Sequence, residues 1–435
     1  MTGEFRNRGK VVVAAGIGIN LALGVLYTWS IFKGAIRDSI ETGGPDAFQW
    51  SLSSLNDPYA VCCLVFASTM ILAGKSQDTF GPRITAVIGG ILVGLGFILI
   101  SQTTAYAGWI LGFGVLVGAG IAFGYSSATP PAMKWFPPTR TGRVAGLVVA
   151  GFGLASVYIA PLAKYLLATW GLQQAMLFFG IAFLLVVSLL ATFLVNPPEG
   201  FVPKDVDRRC SSDENKESRA RFKEVDVAPS EMMRTSNFWL LWFLYFIGAG
   251  AGLMVISNVA GMAKQSLGEA AFWAVVVLAV GNAAGRIVAG ILSDKIGGKK
   301  ALASMFAFQA CLMFLAMSVM QAETASIVIL LFLTTFIGFN YGANLAIFPS
   351  FTKDLWGFKH FGVNYGIIFT SWGVGGFVMS RVSQVLNAST QTYSTSFLTA
   401  GVLLILGVAL SSLIHNEKEI LRREIAHDKK PLMTP

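Results

Sequence analysis

An arginine set deep in an apolar helix is a strong anion-binding element, and this chain holds one at Arg286. It falls about sixteen residues into an apolar run that begins near residue 270, or roughly 24 Å along a helix axis. Placing a guanidinium near the middle of a bilayer costs about 2.5–3.5 kcal/mol on insertion scales. Either an internal ion pair or a bound anion offsets that cost. No Asp or Glu stands three or four residues away on either side, so its own helix supplies no partner. Substrate binding is therefore favoured over a structural ion pair. Asn282, four residues earlier on the same face, can donate to a carboxylate or a hydroxyl without cancelling the charge.

Tyr27, Tyr125 and Tyr341 also fall inside apolar runs, each an aromatic ring with a donor tip. Tyr341 has Asn344 three residues on. For each tyrosine, packing or an interfacial belt stands beside a ligand role. Phe369 and Trp372, three apart, could wall the site for a methyl group or simply pack. Asp57 before Pro58 reads first as a helix cap, and second as an acid able to exchange a proton near the pathway. Arg381 could snorkel or pair with it. Trp50, Trp109, Trp170, Trp239 and Trp242 sit at the ends of runs, as interface anchors do.

Other chemistries find little support. Cys62, Cys63, Cys210 and Cys311 form no CxxC pair, and the three histidines lie outside or at the edges of apolar runs. No metal or cofactor is expected. No nucleophile–base or paired-carboxylate constellation marks an enzyme. Glycine-rich runs at Gly112–Gly118 and Gly373–Gly376 have no strand before them and suit close helix packing rather than nucleotide binding.

These side chains need long apolar helices to hold them, and the composition supplies them. The chain has 435 residues, 54% hydrophobic and 13% charged, where a soluble domain carries about 25% charged residues. At roughly 20 apolar residues per crossing, twelve spans are expected: 11–32, 53–73, 84–102, 108–133, 143–168, 174–195, 237–259, 270–292, 301–320, 325–348, 362–387 and 393–415. The first has spanning length and no cleavage pattern behind it, so it is expected as a helix rather than a signal. The expected organisation is an N-terminal six-helix bundle (1–195), a polar linker (196–236), a C-terminal six-helix bundle (237–415) and a tail (416–435). The fold class is all-α, polytopic.

The net charge of +9 does not point to nucleic acid, because the cations occupy the breaks between spans. With both termini and the linker placed inside, 26 of the 32 Lys and Arg fall on the inner side and four on the outer. That asymmetry predicts cytoplasmic termini.

The halves also repeat. Gly74-Lys75-Ser76-Gln77-Asp78-Thr79-Phe80-Gly81-Pro82-Arg83 joins spans two and three. Gly290-Ile291-Leu292-Ser293-Asp294-Lys295-Ile296-Gly297-Gly298-Lys299 joins spans eight and nine, each position 216 residues later. The glycines suit a tight turn and close helix approach, and the Asp is expected near the start of the following helix, where its charge is favoured. Gly142-Arg143-Val144-Ala145-Gly146 is weakly echoed by Phe361-Gly362-Val363-Asn364-Tyr365-Gly366, at the starts of spans five and eleven.

Twelve spans and this duplicated motif resemble the major facilitator superfamily over the whole chain. Lys134-Trp135-Phe136-Pro137, Asn196-Pro197-Pro198-Glu199-Gly200-Phe201, and Glu231-Met232-Met233-Arg234-Thr235 followed by Phe238-Trp239 are similar to its oxalate/formate antiporter branch and to related bacterial monocarboxylate transporter homologues. The resemblance implies alternating access in the cytoplasmic membrane of a prokaryote. It also implies aromatic side chains from helices one and ten around the substrate. Animal monocarboxylate transporters carry an Asp where Asn282 stands, so the proton mechanism does not transfer with the resemblance. The oxalate/formate antiporter has a second cation in span eleven, at the position of Trp372. One cation favours one carboxylate. The expectation is a transporter, not an enzyme, for small monocarboxylates such as lactate or pyruvate. Proton symport is the favoured coupling, and carboxylate exchange is the alternative. Oligomeric state is left open.

Overall fold

The computed structural model describes residues 7–44, 47–198, 201, 226–267, 271–321, 327–390 and 394–414. Every regular element among them is helical. Bilayer-length apolar segments fold this way because lipid offers the backbone no hydrogen bonds, so each helix must satisfy its own. The spans are α1 (Gly9–Thr42), α2 (Asp57–Phe80), α3 (Pro82–Ser101) and α4 (Tyr106–Lys134). Helices α5 and α6 share the stretch Thr141–Ala191, broken at Gly171, where φ is 78°. Then come α7 (Ser236–Leu267), α8 (Ala271–Ile296), α9 (Gly298–Gln321), α10 (Ile327–Trp356), α11 (Phe361–Thr390) and α12 (Ser394–Ser411). The centre of the expected linker and the tail lie outside the described residues. The described end of the linker docks on the second bundle: Val227 N–H donates to Trp356 O, and Asn364 Nδ2 donates to Val227 O at 3.0 Å.

The burial pattern is that of a membrane protein. Large apolar side chains such as Leu64, Leu72, Leu185, Leu189 and Val385 point outward, more than half exposed. Asn20, Gln309, Asn340, Asn344 and Arg286 are fully buried. Polar groups are thus concentrated inside the protein, away from lipid.

Two helix pairs join the bundles: α5 lies along α8, and α2 along α11. Both approach backbone to backbone. A Cβ on Gly146 would strike the Arg286 carbonyl, and one on Gly366 would strike the Met70 carbonyl. Gly142 and Gly290 oppose each other in the same way, as do Gly74 and Gly362. The weak echo between Gly142–Gly146 and Gly362–Gly366 thus marks equivalent contact faces of α5 and α11.

The duplicated motif departs from its expected form. It is no loop: α2 continues through Lys75–Phe80 and α8 through Asp294–Ile296, and one glycine breaks each helix. Gly81 (φ 81°) and Gly297 (φ 85°) adopt the left-handed conformation that a Cβ disfavours. Asp78 and Asp294 accordingly stand at the ends of their own helices, not at the starts of the next. Their partners are the N-termini of α11 and α5. Asp78 accepts from Gly362 N and Val363 N, both at 3.0 Å, while Asp294 accepts from Gly142 N at 2.8 Å and Arg143 N at 2.7 Å. The dipole that favours each carboxylate belongs to the other bundle.

The motif cations act within bundles instead. Arg83 Nε donates to Leu194 O at 3.2 Å, past the end of α6. Lys299 Nζ donates to Ser412 O at 2.6 Å and Ile414 O at 3.1 Å, past the end of α12. Each satisfies carbonyls that the finished helix leaves without a partner.

The tryptophan expectation also needs correction. Trp170 and Trp239 are about half exposed, but Trp109 and Trp50 are buried. They pack with Phe48 and Trp29 at centroid distances from 5.2 to 6.3 Å, and their indole N–H groups donate to Thr103 O and Thr104 O. Asp57 accepts from Tyr106 Oη at 2.9 Å, and Arg381 donates to Gln384 Oε1.

Replacing Arg83 or Lys299 by Gln removes one charge-assisted helix cap, worth about 1 kcal/mol. Each should lower the thermal unfolding midpoint in detergent. The two losses should add, since they lie in different bundles.

Candidate functional site

The site forms where α8 is clasped between α5 and α10. Gly153 of α5 and Gly342 of α10 face the Asn282 turn, and neither position has room for a Cβ without displacing it. Side chains on this face of α8 are thereby sealed from lipid: Arg286 is 0% exposed and Asn282 is 2% exposed.

The guanidinium of Arg286 is held in three directions. Its Nε donates to Asn282 Oδ1 at 2.9 Å, its Nη1 donates to the Val149 carbonyl of α5, and its Nη2 points to Tyr27 Oη at 3.4 Å. Its Cζ lies 5.9 Å from the Phe152 ring centroid. None of these partners carries a full charge, and among the described residues no carboxylate pairs with Arg286. Arginine has five N–H donors. Three are engaged, so one on each terminal nitrogen is left for a ligand.

Tyr27 reaches this point because α1 is not regular. A 3-10 turn over Gly24–Thr28 interrupts it, and Gly24 packs against the α5 backbone at Phe152. The network continues beyond Tyr27. Its hydroxyl lies 3.3 Å from Tyr341 Oη of α10, which accepts from Trp372 Nε1 of α11 at 3.0 Å. Whichever phenol donates in the Tyr27–Tyr341 contact, the other keeps an unspent O–H. The arrangement can thus offer an anion two guanidinium N–H groups and one phenolic O–H. That is the coordination a carboxylate needs.

Of the residues singled out from sequence, Arg286, Asn282, Tyr27, Tyr341 and Trp372 share this one network. Trp372 joins it through its indole N–H as well as its ring. Phe369 stacks on Trp372 at 5.1 Å and closes the side. Tyr125 stands apart: it packs on Phe66, Phe152 and Phe369 at 5.6–5.7 Å and touches neither Arg286 nor Tyr341 through its hydroxyl. Gly74, Asp78, Gly81, Arg83, Gly290, Asp294 and Gly297 lie near the helix ends of the two bundles, away from this network.

Three contributors carried no signal in the sequence. The Val149 carbonyl is a backbone atom, and Phe66 and Phe152 are two among 33 phenylalanines. Lys353, toward the end of α10, was not singled out from the sequence. It is 6% exposed and donates to Thr141 Oγ1 at 3.3 Å and Asp354 Oδ1 at 2.8 Å, which ties α10 to the start of α5. Among the described residues no cluster of three His, Cys, Asp or Glu could hold a metal ion.

The family model for the Major Facilitator Superfamily matches residues 11–380 and, overlapping, 265–432. The chain is 30% identical over 359 residues to the uncharacterized MFS-type transporter YhjX of Escherichia coli (strain K12), covering 81% of this chain and 82% of that one. It is 24% identical over 420 residues to the oxalate:formate antiporter of Oxalobacter formigenes, covering 95% and 93%. In structure it is similar to the proton:xylose symporter XylE, with a TM-score of 0.70 at 15% identity, over 94% of this chain and 97% of that one.

The neutral Asn282 next to Arg286 can be tested directly. Asn282→Asp gives the guanidinium an internal counter-ion that must be protonated before an anion can compete. Carboxylate affinity, read by ligand-induced thermal shift, should become pH-dependent in the variant. It should fall at least tenfold as pH rises through the introduced carboxyl's range, while the parent protein shows no such added step.

Proposed function

Because the chain belongs to the major facilitator superfamily, in its oxalate/formate antiporter-like branch, we propose that it carries small monocarboxylates of lactate or pyruvate size across the cytoplasmic membrane by alternating access. The observation that carries this reading is Arg286, fully buried, without a carboxylate partner and with two N–H donors left over. A buried unpaired cation is costly, and a bound carboxylate removes the cost. Tyr27, Tyr341 and Asn282 orient the anion, and Phe369 and Trp372 face its methyl or short alkyl part. With Trp372 where a second cation would stand, one carboxylate suffices.

Protons are the proposed co-substrate. A carboxylate plus a proton is a neutral load, which leaves the net charge of the Arg286 site unchanged during the crossing. Among the described residues no carboxylate or histidine stands beside Arg286, so no side chain of this site holds the proton. The near-full-length similarity to the oxalate:formate antiporter favours a second reading, exchange of one carboxylate for another.

Proteoliposomes free of internal anion separate the two. Labelled L-lactate should accumulate under an inward proton gradient. It should stop when the gradient is collapsed, and Arg286→Ala should abolish it. Uptake only after preloading with formate or oxalate would select exchange. No uptake of any small carboxylate would overturn the assignment.

The charge asymmetry of the breaks favours the cytoplasmic face for the duplicated motif. We assign Asp78 and Asp294 as latches that hold the cytoplasmic halves of the bundles together, since each carboxylate bonds the opposite bundle. Combining Asp78→Asn and Asp294→Asn should raise, at least severalfold, the maleimide labelling rate from the cytoplasmic side of a cysteine introduced at Ser126. This is read in a background with the native cysteines replaced by alanine.

A further inference from the structure

Three tyrosines surround Phe369, and their hydroxyls have only one another within reach. Tyr125 of α4, Tyr245 of α7 and Tyr365 of α11 place their ring centroids 5.7, 6.0 and 5.8 Å from that of Phe369. They are 3%, 0% and 5% exposed. The hydroxyls of Tyr125 and Tyr245 each lie within interaction range of that of Tyr365, but none makes a well-formed hydrogen bond. An unsatisfied buried hydroxyl is destabilising, and phenylalanine at these positions would fill the same space without that cost. Three such groups converging from both bundles call for a partner.

Their position relative to Arg286 suggests what the partner is. Tyr125 and Arg286 pack on the same Phe152 ring, at 5.6 and 5.9 Å. Trp372, which belongs to the Arg286 network, stacks on the Phe369 ring that the three tyrosines surround. The phenols therefore stand beside the anion site, separated from it by Phe152 and Phe369. They carry no charge, so Arg286 outcompetes them for the carboxylate. They can both donate to and accept from a neutral oxygen.

We propose that Tyr245 and Tyr365, with Tyr125, form a second subsite that recognises a neutral oxygen of the cargo, a hydroxyl or a carbonyl, while Arg286 holds its carboxylate. This rests on the carboxylate reading above and narrows it to hydroxy- and oxo-carboxylates over plain fatty acids. A site built to hydrogen-bond an oxygen rejects the analogue lacking it, because its own polar groups are then left unpaired.

The test compares matched pairs in the purified full-length protein: lactate and pyruvate against propionate, and 3- and 4-hydroxybutyrate against butyrate. Affinities come from ligand-induced thermal shift and from competition with labelled lactate. The parent protein should prefer at least one oxygen-bearing acid over its plain analogue by tenfold or more. Tyr365→Phe and Tyr245→Phe should each reduce that preference to under threefold, leave the plain acid's affinity unchanged and leave the ligand-free unfolding midpoint unlowered. The inference is overturned if the parent shows no preference, if the preference survives both substitutions, or if plain and oxygenated acids weaken together. Absence of binding by every acid in the series would instead remove the carboxylate reading itself.

Discussion

A single positive charge, buried without a negative one, organises the centre of this molecule. Dipoles stand in there for the missing counter-ion of Arg286: an amide oxygen from its own helix, a backbone carbonyl from α5 and a phenol from α1. Those dipoles must come very close, and this accounts for much of the surrounding packing. Glycines at 146, 153 and 342 let α5 and α10 close on α8, and Gly24 lets the broken part of α1 settle on α5. Partial charges lower the cost of the cation without cancelling it. The site remains attractive to an anion, which a full ion pair would prevent.

The same economy of charge separates stability from motion. Cations of the duplicated motif bond carbonyls within their own bundle, and its carboxylates bond N–H groups of the opposite one. One set holds each bundle rigid. The other holds the two together at one end, through contacts that can be broken without unfolding a helix.

Much of this was legible in the sequence, for identifiable reasons. Span number and placement followed from apolar run length, because a bilayer admits almost no other structure. Arg286 and Asn282 stood out because charge and amide are rare at that depth, and their spacing set them on one face. The motif was visible as a repeat, but the partners of Asp78 and Asp294 were not. Those partners lie across the bundle interface, 284 and 152 residues away, and local spacing can only suggest the next helix. Trp109 was misplaced for a similar reason. A tryptophan at a helix end looks the same whether it meets lipid headgroups or a neighbouring aromatic cluster. Tyr245 carried no signal because a lone tyrosine inside a span reads as packing, and Tyr365 was visible only as part of the echo at the start of α11.

The carboxylate contacts have a further consequence. Asp78 of the first half binds the start of α11 in the second, and Asp294 of the second binds the start of α5 in the first. Each half therefore carries both the acceptor and the donor of the same contact. That is the arrangement of an isologous dimer, in which one surface patch is complementary to itself. A single six-helix unit with this motif would already hold everything needed to pair with a copy of itself. Any change to its Asp or to its facing glycine would have been felt at two places at once. Joining two such units in one chain releases that constraint, and the single arginine on α8 is the kind of asymmetry that only a joined pair can hold.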